Sequence, residues 1–240
     1  MIVQDYTYHD YVQLGYQDLV VVFIWKDESG DECTKTRHYV GNEGDKNDVL
    51  YSIHAWEQLA HEPILQGKSV KVWSDNGPKH FKCTAYITYM MCWSWRHLKR
   101  HGKAVSLSFF APYHGASVAD RGAAVVKRRV SDRIASESLR MKSSKSLIEL
   151  ANTVLGQEAR PIDLPSGVPK PDVKTMAGIT KFYEWAPSRT HCADAWHTCD
   201  DRQQGIAPVK FCWPDIKKFP LHWNADMTDL VYKGAQGQAV

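Results

Sequence analysis

The chain has 240 residues, a net charge of +3, 43% hydrophobic residues and 24% charged residues. That is the balance of an ordinary globule, long enough for one sizeable domain with or without a small appendage. It excludes a low-complexity or fibrous chain, and no apolar run approaches the roughly eighteen residues of a membrane span.

The N-terminus "MIVQDYTYHDY" lacks the charged-then-apolar layout of a secretory signal. Six cysteines (33, 83, 92, 192, 199 and 212) are scattered through a chain too large to need staples. They suit a reduced, intracellular compartment better than a disulfide framework.

In chain order, "IVQDYTYHD" predicts a strand rich in aromatic and β-branched residues. "LVVVFIW" is a near-continuous apolar run, as in a strand buried on both faces, and "CTKTRHYV" follows it after the polar turn "KDESGDE". Three strands with short links suggest an antiparallel meander. "NDVLYSIHAWEQLAHEPILQG" then predicts a helix capped by Asn47 or Asp48 and stopped by Gly67. "SVKVW" is the fourth strand, and "FKCTAYITYMMCWSWRHLKRHG" a second helix with Gly102 as its stop. "AVSLSFFAPY" is the fifth strand, "ASVADRGAAVVKRRVSDRIASESLR" a third helix and "SLIELANTVLG" a fourth.

Residues 157–174 hold four prolines and read as a linker; 175–240 read as a small, irregular, aromatic- and Cys-rich appendage to a core over 1–156. Strand, strand, strand, helix, strand, helix, strand, helix is the order of the ribonuclease H-like fold. The expected architecture is therefore α/β: a mixed five-stranded sheet flanked by helices, with the C-terminal appendage beside it.

That fold carries catalytic carboxylates on its first strand, at the end of its fourth and on the helix after its fifth. Asp5, Asp75 and Asp120 occupy those places. An in-line displacement at phosphorus stabilises both attacking and leaving oxygens with two Mg²⁺ ions roughly 3.5–4 Å apart. Magnesium takes hard oxygen ligands and keeps some of its waters, so a few carboxylates suffice. The competing interpretations are local. Asp75 could merely open an Asn-Gly turn, and Asp120 could complement the dipole of its helix. Between Arg121 and Lys145 stand eight Lys or Arg against two Asp or Glu, which is either a phosphate-binding footprint or a solvated helix face.

"WSDNGPKHFK" followed by "LSFFAPYHGASVADRGAAVVKRRV" resembles a motif pair of eukaryotic transposase-derived proteins of the DDE/DDD type. The matching positions are Ser74, Asp75, Gly77, Phe81, Lys82, Phe109, Phe110, His114, Gly115, Asp120, Lys127 and Arg128, and "VQDYTYHDY" is similar to the family's first-strand Asp followed by an aromatic. The resemblance covers roughly residues 2 to 135. Two departures stand out: Asn76 separates Asp75 from Gly77, and bulkier residues replace most of the glycines around Asp120.

The resemblance implies a Mg²⁺- (or Mn²⁺-) dependent transposase- or integrase-like core with Asp5, Asp75 and Asp120 as its triad and His114 as a neighbour in the site. Lys82, Lys127, Arg128 and Arg129 would bind the nucleic acid, which is DNA, or else RNA or an RNA–DNA hybrid. A nuclear location and a homo-oligomer fit the same picture, and no membrane partner is expected. The alternative is a domesticated module that binds DNA or protein with a degenerate site.

The set Cys192, His197, Cys199 and Cys212 could close a structural zinc site, although its spacing fits no standard finger and there is no Cys-x-x-Cys pair. Scattered core residues are the competing reading. Phosphate loops and nucleophile elbows are absent from the sequence.

Overall fold

The computed structural model describes residues 2–7, 10–15, 18–42, 48–78, 81–110, 118–138, 143–156, 159–162, 170–188, 191–214 and 216–218. The chain is α/β with mixed sheets and divides into two units, each built from two stretches of sequence. The first unit is Met1–Asn47 with His114–Leu164, and the second is Asp48–Tyr113 with Pro165–Val240.

In the first unit, β1 (Ile2–Thr7) and β2 (Asp10–Gly15) form an antiparallel pair of their own. Of the single strand expected over residues 2–10, β1 covers Ile2–Thr7, and Asp10 already begins β2. Strands β3 (Asp18–Lys26) and β4 (Glu32–Gly41) pair along their whole length. The Asp27 carboxylate accepts from the N–H groups of Ser29 and Asp31, which fixes the turn between them. A third strand, β7 (Ala159–Ile162), adds to β4 in parallel. It lies inside the stretch expected to be a linker.

Helices α3 (Val118–Glu137) and α4 (Ser144–Leu155) complete this unit. Ser143 caps α4 in a reciprocal pair with Ser146, and Gly156 ends it at φ 68°, a backbone conformation that glycine adopts without strain. Val40, Val126, Val130, Leu147, Ala151 and Ala159 form the buried core between sheet and helices.

The second unit begins with α1 (Val49–Leu59), capped by Asp48, whose carboxylate accepts from the N–H groups of Leu50 and Tyr51. It stops eight residues before Gly67, because Pro63 cannot continue the ladder and instead opens a 3-10 turn, Pro63–Leu65. Strand β5 (Val70–Ser74), α2 (Thr84–His101) and β6 (Val105–Phe109) follow, with β5 and β6 parallel. Val72, Leu107 and Phe109 face the α2 side and are buried, and α2 packs on α1 through Trp56 and Trp93, with ring centroids 5.2 Å apart.

The C-terminal part departs most from expectation. A short strand, β8 (Asp172–Val173), precedes β9 (Glu184–Pro187), β10 (Ala193–Trp196), α5 (Cys199–Gln203), β11 (Val209–Phe211) and β12 (Ile216–Lys218). β9 pairs with β6, giving a five-stranded sheet in the order β11-β10-β9-β6-β5. The single five-stranded sheet expected within 1–156 is therefore corrected. Its strands are shared among three sheets (β1-β2, β3-β4-β7 and the five-stranded one), and residues 184–211 complete the last of them. Trp185, wholly buried beside Phe182 and Phe211, is core of that sheet. Among the described residues no helix is long and apolar enough to cross a membrane.

Candidate functional site

Strand β5 alternates strictly: Val72 and Ser74 are buried, whereas Lys71 and Trp73 are exposed. Ser74 ends it with its hydroxyl 3.2 Å from Tyr86 Oη, which in turn accepts from Trp56 Nε1 at 2.7 Å. Burial pushes the Tyr86 phenol well up, while its bonds to Ser74 and Trp56 pull the other way. The strand tip is thus tied to both α1 and α2. The N–H of Phe110 also donates to Ser74 O at 3.1 Å, binding the tip to the end of β6.

Asp75 is the next residue and is exposed. One of its carboxylate oxygens accepts from the N–H of Asn76 at 2.6 Å. Asn76 Oδ1 is buried with no hydrogen-bond donor among the described residues. Gly77 O then accepts from the N–H groups of both Phe81 and Lys82, at 3.0 Å each, closing the turn into α2. Two residues with hard oxygen donors, Asp75 and Asn76, therefore follow each other at the C-terminal edge of a parallel strand pair, where open α/β sheets bind their ligands.

Lys82 is only 4% exposed. Its ammonium lies 3.3 Å from the centroid of the Tyr183 ring and 5.5 Å from that of Phe109, and Nζ finds no acceptor among the described residues. Burial lowers its pKa to about 8. The expectation that Lys82 reaches outward to a backbone meets a side chain held inside this unit by aromatic faces.

In the first unit, α3 buries Val126 and Val130, with Ile134 partly buried, among its described side chains. Its first turn carries Asp120, which is exposed, and Arg121, Lys127, Arg128, Arg129 and Arg133 are exposed too. Asp120 and Lys127 are two turns apart on one side of the helix. The backbone of Asp5 lies in β1 opposite Val12, its side chain is outside the described residues, and so is the whole of His114. Asp5 and Asp120 belong to the first unit and Asp75 to the second.

The most elaborate polar cluster in the second unit is one that the sequence did not point to. Glu184, 1% exposed, sits opposite Ser108 in the β6–β9 ladder. It accepts hydrogen bonds from Ser108 Oγ, from Cys199 Sγ at 3.2 Å and from Arg202 Nη1 at 2.6 Å, with Lys71 Nζ 3.5 Å away. Burial alone would push this carboxyl up; the bonds from Ser108, Cys199 and Arg202 and the charge of Lys71 outweigh it and hold it below its ordinary value. Burial and the Glu184 carboxylate together push the Cys199 thiol up, so Cys199 serves as a donor here and not as a thiolate. A lone Glu inside "FYEWA" was the available signal, since a charge amid a strand's apolar residues must find partners.

Two of the residues considered for zinc, His197 and Cys199, have partners of other kinds. Cys192 is buried, His197 stacks on Phe182 with Nδ1 3.0 Å from Lys181 O, Cys199 donates to Glu184, and Cys212 is exposed. Among the described residues no group of three or more His, Cys, Asp or Glu side chains is placed to hold a metal ion. Nearby, His191 bridges Ser188 at 2.9 Å and Asp194 at 2.7 Å, which fastens the connection between β9 and β10.

Compared with protein-family models, curated proteins and solved structures, the chain matches none of them.

Proposed function

We propose that the protein is a metal-dependent polynucleotidyl transferase or nuclease of ribonuclease H-like type, cutting or joining DNA in the manner of a transposase. The observation that carries this reading is α3. One helix presents Arg121, Lys127, Arg128, Arg129 and Arg133 to solvent and carries an exposed carboxylate, Asp120, in its first turn. Cations on one surface attract a phosphate backbone through counterion release.

The second support is Asp75, exposed at the tip of a parallel strand beside the orphaned Asn76 oxygen. Asp75 and Asn76 offer oxygen donors of the kind that Mg²⁺ or Mn²⁺ takes, and Asp5 and Asp120 are the further carboxylates that the resemblance implies. When bound, the metal would neutralise charge on the phosphate and lower the pKa of an attacking water. The protein's own part is to hold Asp75 rigidly, through the Ser74–Tyr86–Trp56 chain, and to grip the backbone with Lys127, Arg128 and Arg129. The triad and the role of His114 rest on the motif resemblance, and the fold type on the resemblance and the order of elements. On this reading the partner is DNA and the place of work is the nucleus.

A second reading is a domesticated, non-cutting module. It is favoured by the fact that the basic surface of α3 needs no metal to bind DNA. Labelled duplex DNA, single-stranded DNA and an RNA–DNA hybrid, each incubated with Mg²⁺, Mn²⁺ or EDTA, separate the two. Metal-dependent cutting of duplex is the expected result. Binding without cutting under every condition would leave the module.

A further inference from the structure

Strands β10 and β11 run antiparallel with Ala193 opposite Phe211. The ladder ends at that pair, and Cys192 and Cys212 are the residues that flank it, so continuing its register by one step sets the two opposite each other. Facing residues in such a ladder hold their Cα atoms about 4.5–5.5 Å apart. A disulfide spans Cα separations of about 4.4–6.8 Å, so the backbone needs no rearrangement to bring the two sulfurs together. An independent sign of proximity is electrostatic: burial raises the Cys192 thiol well above its ordinary value, and charge on Cys92 or Cys212 adds to the rise. Both thiols are free in this structure, Cys192 buried and Cys212 exposed.

We propose that Cys192 and Cys212 are an oxidation site that closes into a reversible cross-strand disulfide. The oxidant is a peroxide, and it meets the exposed Cys212. The Cys212 thiolate attacks one peroxide oxygen, the O–O bond breaks, and with a proton taken up a sulfenic acid and one water result. Cys192 sulfur then attacks Cys212 sulfur. The S–S bond forms, the S–O bond breaks, and the departing hydroxide leaves with the Cys192 proton as a second water. Two thiols and one hydrogen peroxide thus give one disulfide and two waters, and a thiol reductant reverses the bridge.

The bridge ties together the ends of a segment that has a task of its own. Residues 193–211 contain α5, and with it Cys199 and Arg202, two of the donors that hold Glu184. Oxidation therefore pins the segment that keeps the Glu184 cluster closed. This inference does not depend on the DNA-cutting reading.

The test uses the full chain, treated with hydrogen peroxide, alkylated and digested with trypsin without reduction. Arg202 and Lys210 stand between the two cysteines, so each falls on a different peptide. The expected result is a linked pair of the Cys192 and Cys212 peptides that dithiothreitol releases, that persists in Cys92→Ser and in Cys199→Ser (Cys199 shares the Cys192 peptide), and that is missing from Cys212→Ser with its circular dichroism unchanged. A Cys92–Cys192 link, a bridge between two chains through Cys212, or sulfinic acid at Cys212 with Cys192 still reduced would each overturn the proposal.

Discussion

Arg202 Nη1 donates to Glu184 Oε1 at 2.6 Å, so a cation on the short helix α5 closes over a carboxylate buried on β9. Glu184 gathers Ser108 and Cys199 as well, and the cluster joins two strands of the sheet to the segment that follows them. Replacing the carboxylate by an amide of the same shape, Glu184→Gln, removes the acceptor for at least one of these donors. The expected cost is about 1–3 kcal/mol of stability at neutral pH, read from urea unfolding. The pH dependence has a definite sign. The folded pKa lies below the ordinary 4.5, so the contribution is present above that value and is lost as pH falls through the folded one. Glu184→Gln should therefore flatten part of the acid loss of stability.

The Lys82 pKa is lowered too, but for a cation this means that folding disfavours the charged form. The folded pKa is about 8 against an ordinary 10.5, so across that interval the unfolded chain holds more protons and wild-type stability rises with pH. Lys82→Met should abolish that rise. Near pH 7 it should unfold within about 1 kcal/mol of wild type, because the roughly 1–3 kcal/mol gained by not burying an ammonium opposes the roughly 2 kcal/mol lost with the Tyr183 ring contact. Urea midpoints at pH 7 and pH 10 measure both.

Tyr86 holds the strand tip. Tyr86→Phe leaves the indole N–H of Trp56 without its acceptor and Ser74 without its partner, in a wholly buried place. A loss of about 1–3 kcal/mol is expected. If Asp75 acts from that tip, DNA cutting should fall in the same variant while DNA binding is retained. Thermal unfolding and a cutting assay below the melting point distinguish the two effects.

The exposed cations of α3 make a prediction about salt. Lys127→Ala, Arg128→Ala and Arg129→Ala should each weaken binding to any duplex sequence and lower the slope of log affinity against log salt by about 1. Fluorescence anisotropy over a salt series gives the slopes. Unchanged slopes would make this helix an ordinary solvated face.

Much of the helical framework could be read from sequence because its signals are local. Asp48, Gly102 and Gly156 cap or stop their helices as their residue types require, and the run from Val70 to Ser74 forms the strand that leads to Asp75. Errors arose where pairing is remote or the turn unmarked. The run from Ile2 to Asp10 keeps one strand-like composition, so the start of β2 at Asp10 reads as a continuation of β1. Ser108 and Glu184 are far apart in the chain, and no periodicity within "KFYEWAP" tells that it will extend a sheet begun by β5 and β6. The prolines of 157–174 suggested a linker, yet Pro161 lies in β7. The same remoteness hid the Glu184 cluster, whose five members come from β5, β6, β9 and α5.

The most direct test of the central claim is cleavage of duplex DNA by wild type and by Asp75→Asn, side by side with Mg²⁺ and with EDTA. Loss of a residue that merely supports a metal ligand costs about 10–100-fold, so loss of a ligand should cost about 100-fold or more. The account predicts cutting by wild type in Mg²⁺ alone, that scale of loss in Asp75→Asn, and equal DNA binding by both proteins. Cutting that survives in Asp75→Asn, or that proceeds in EDTA, would contradict it.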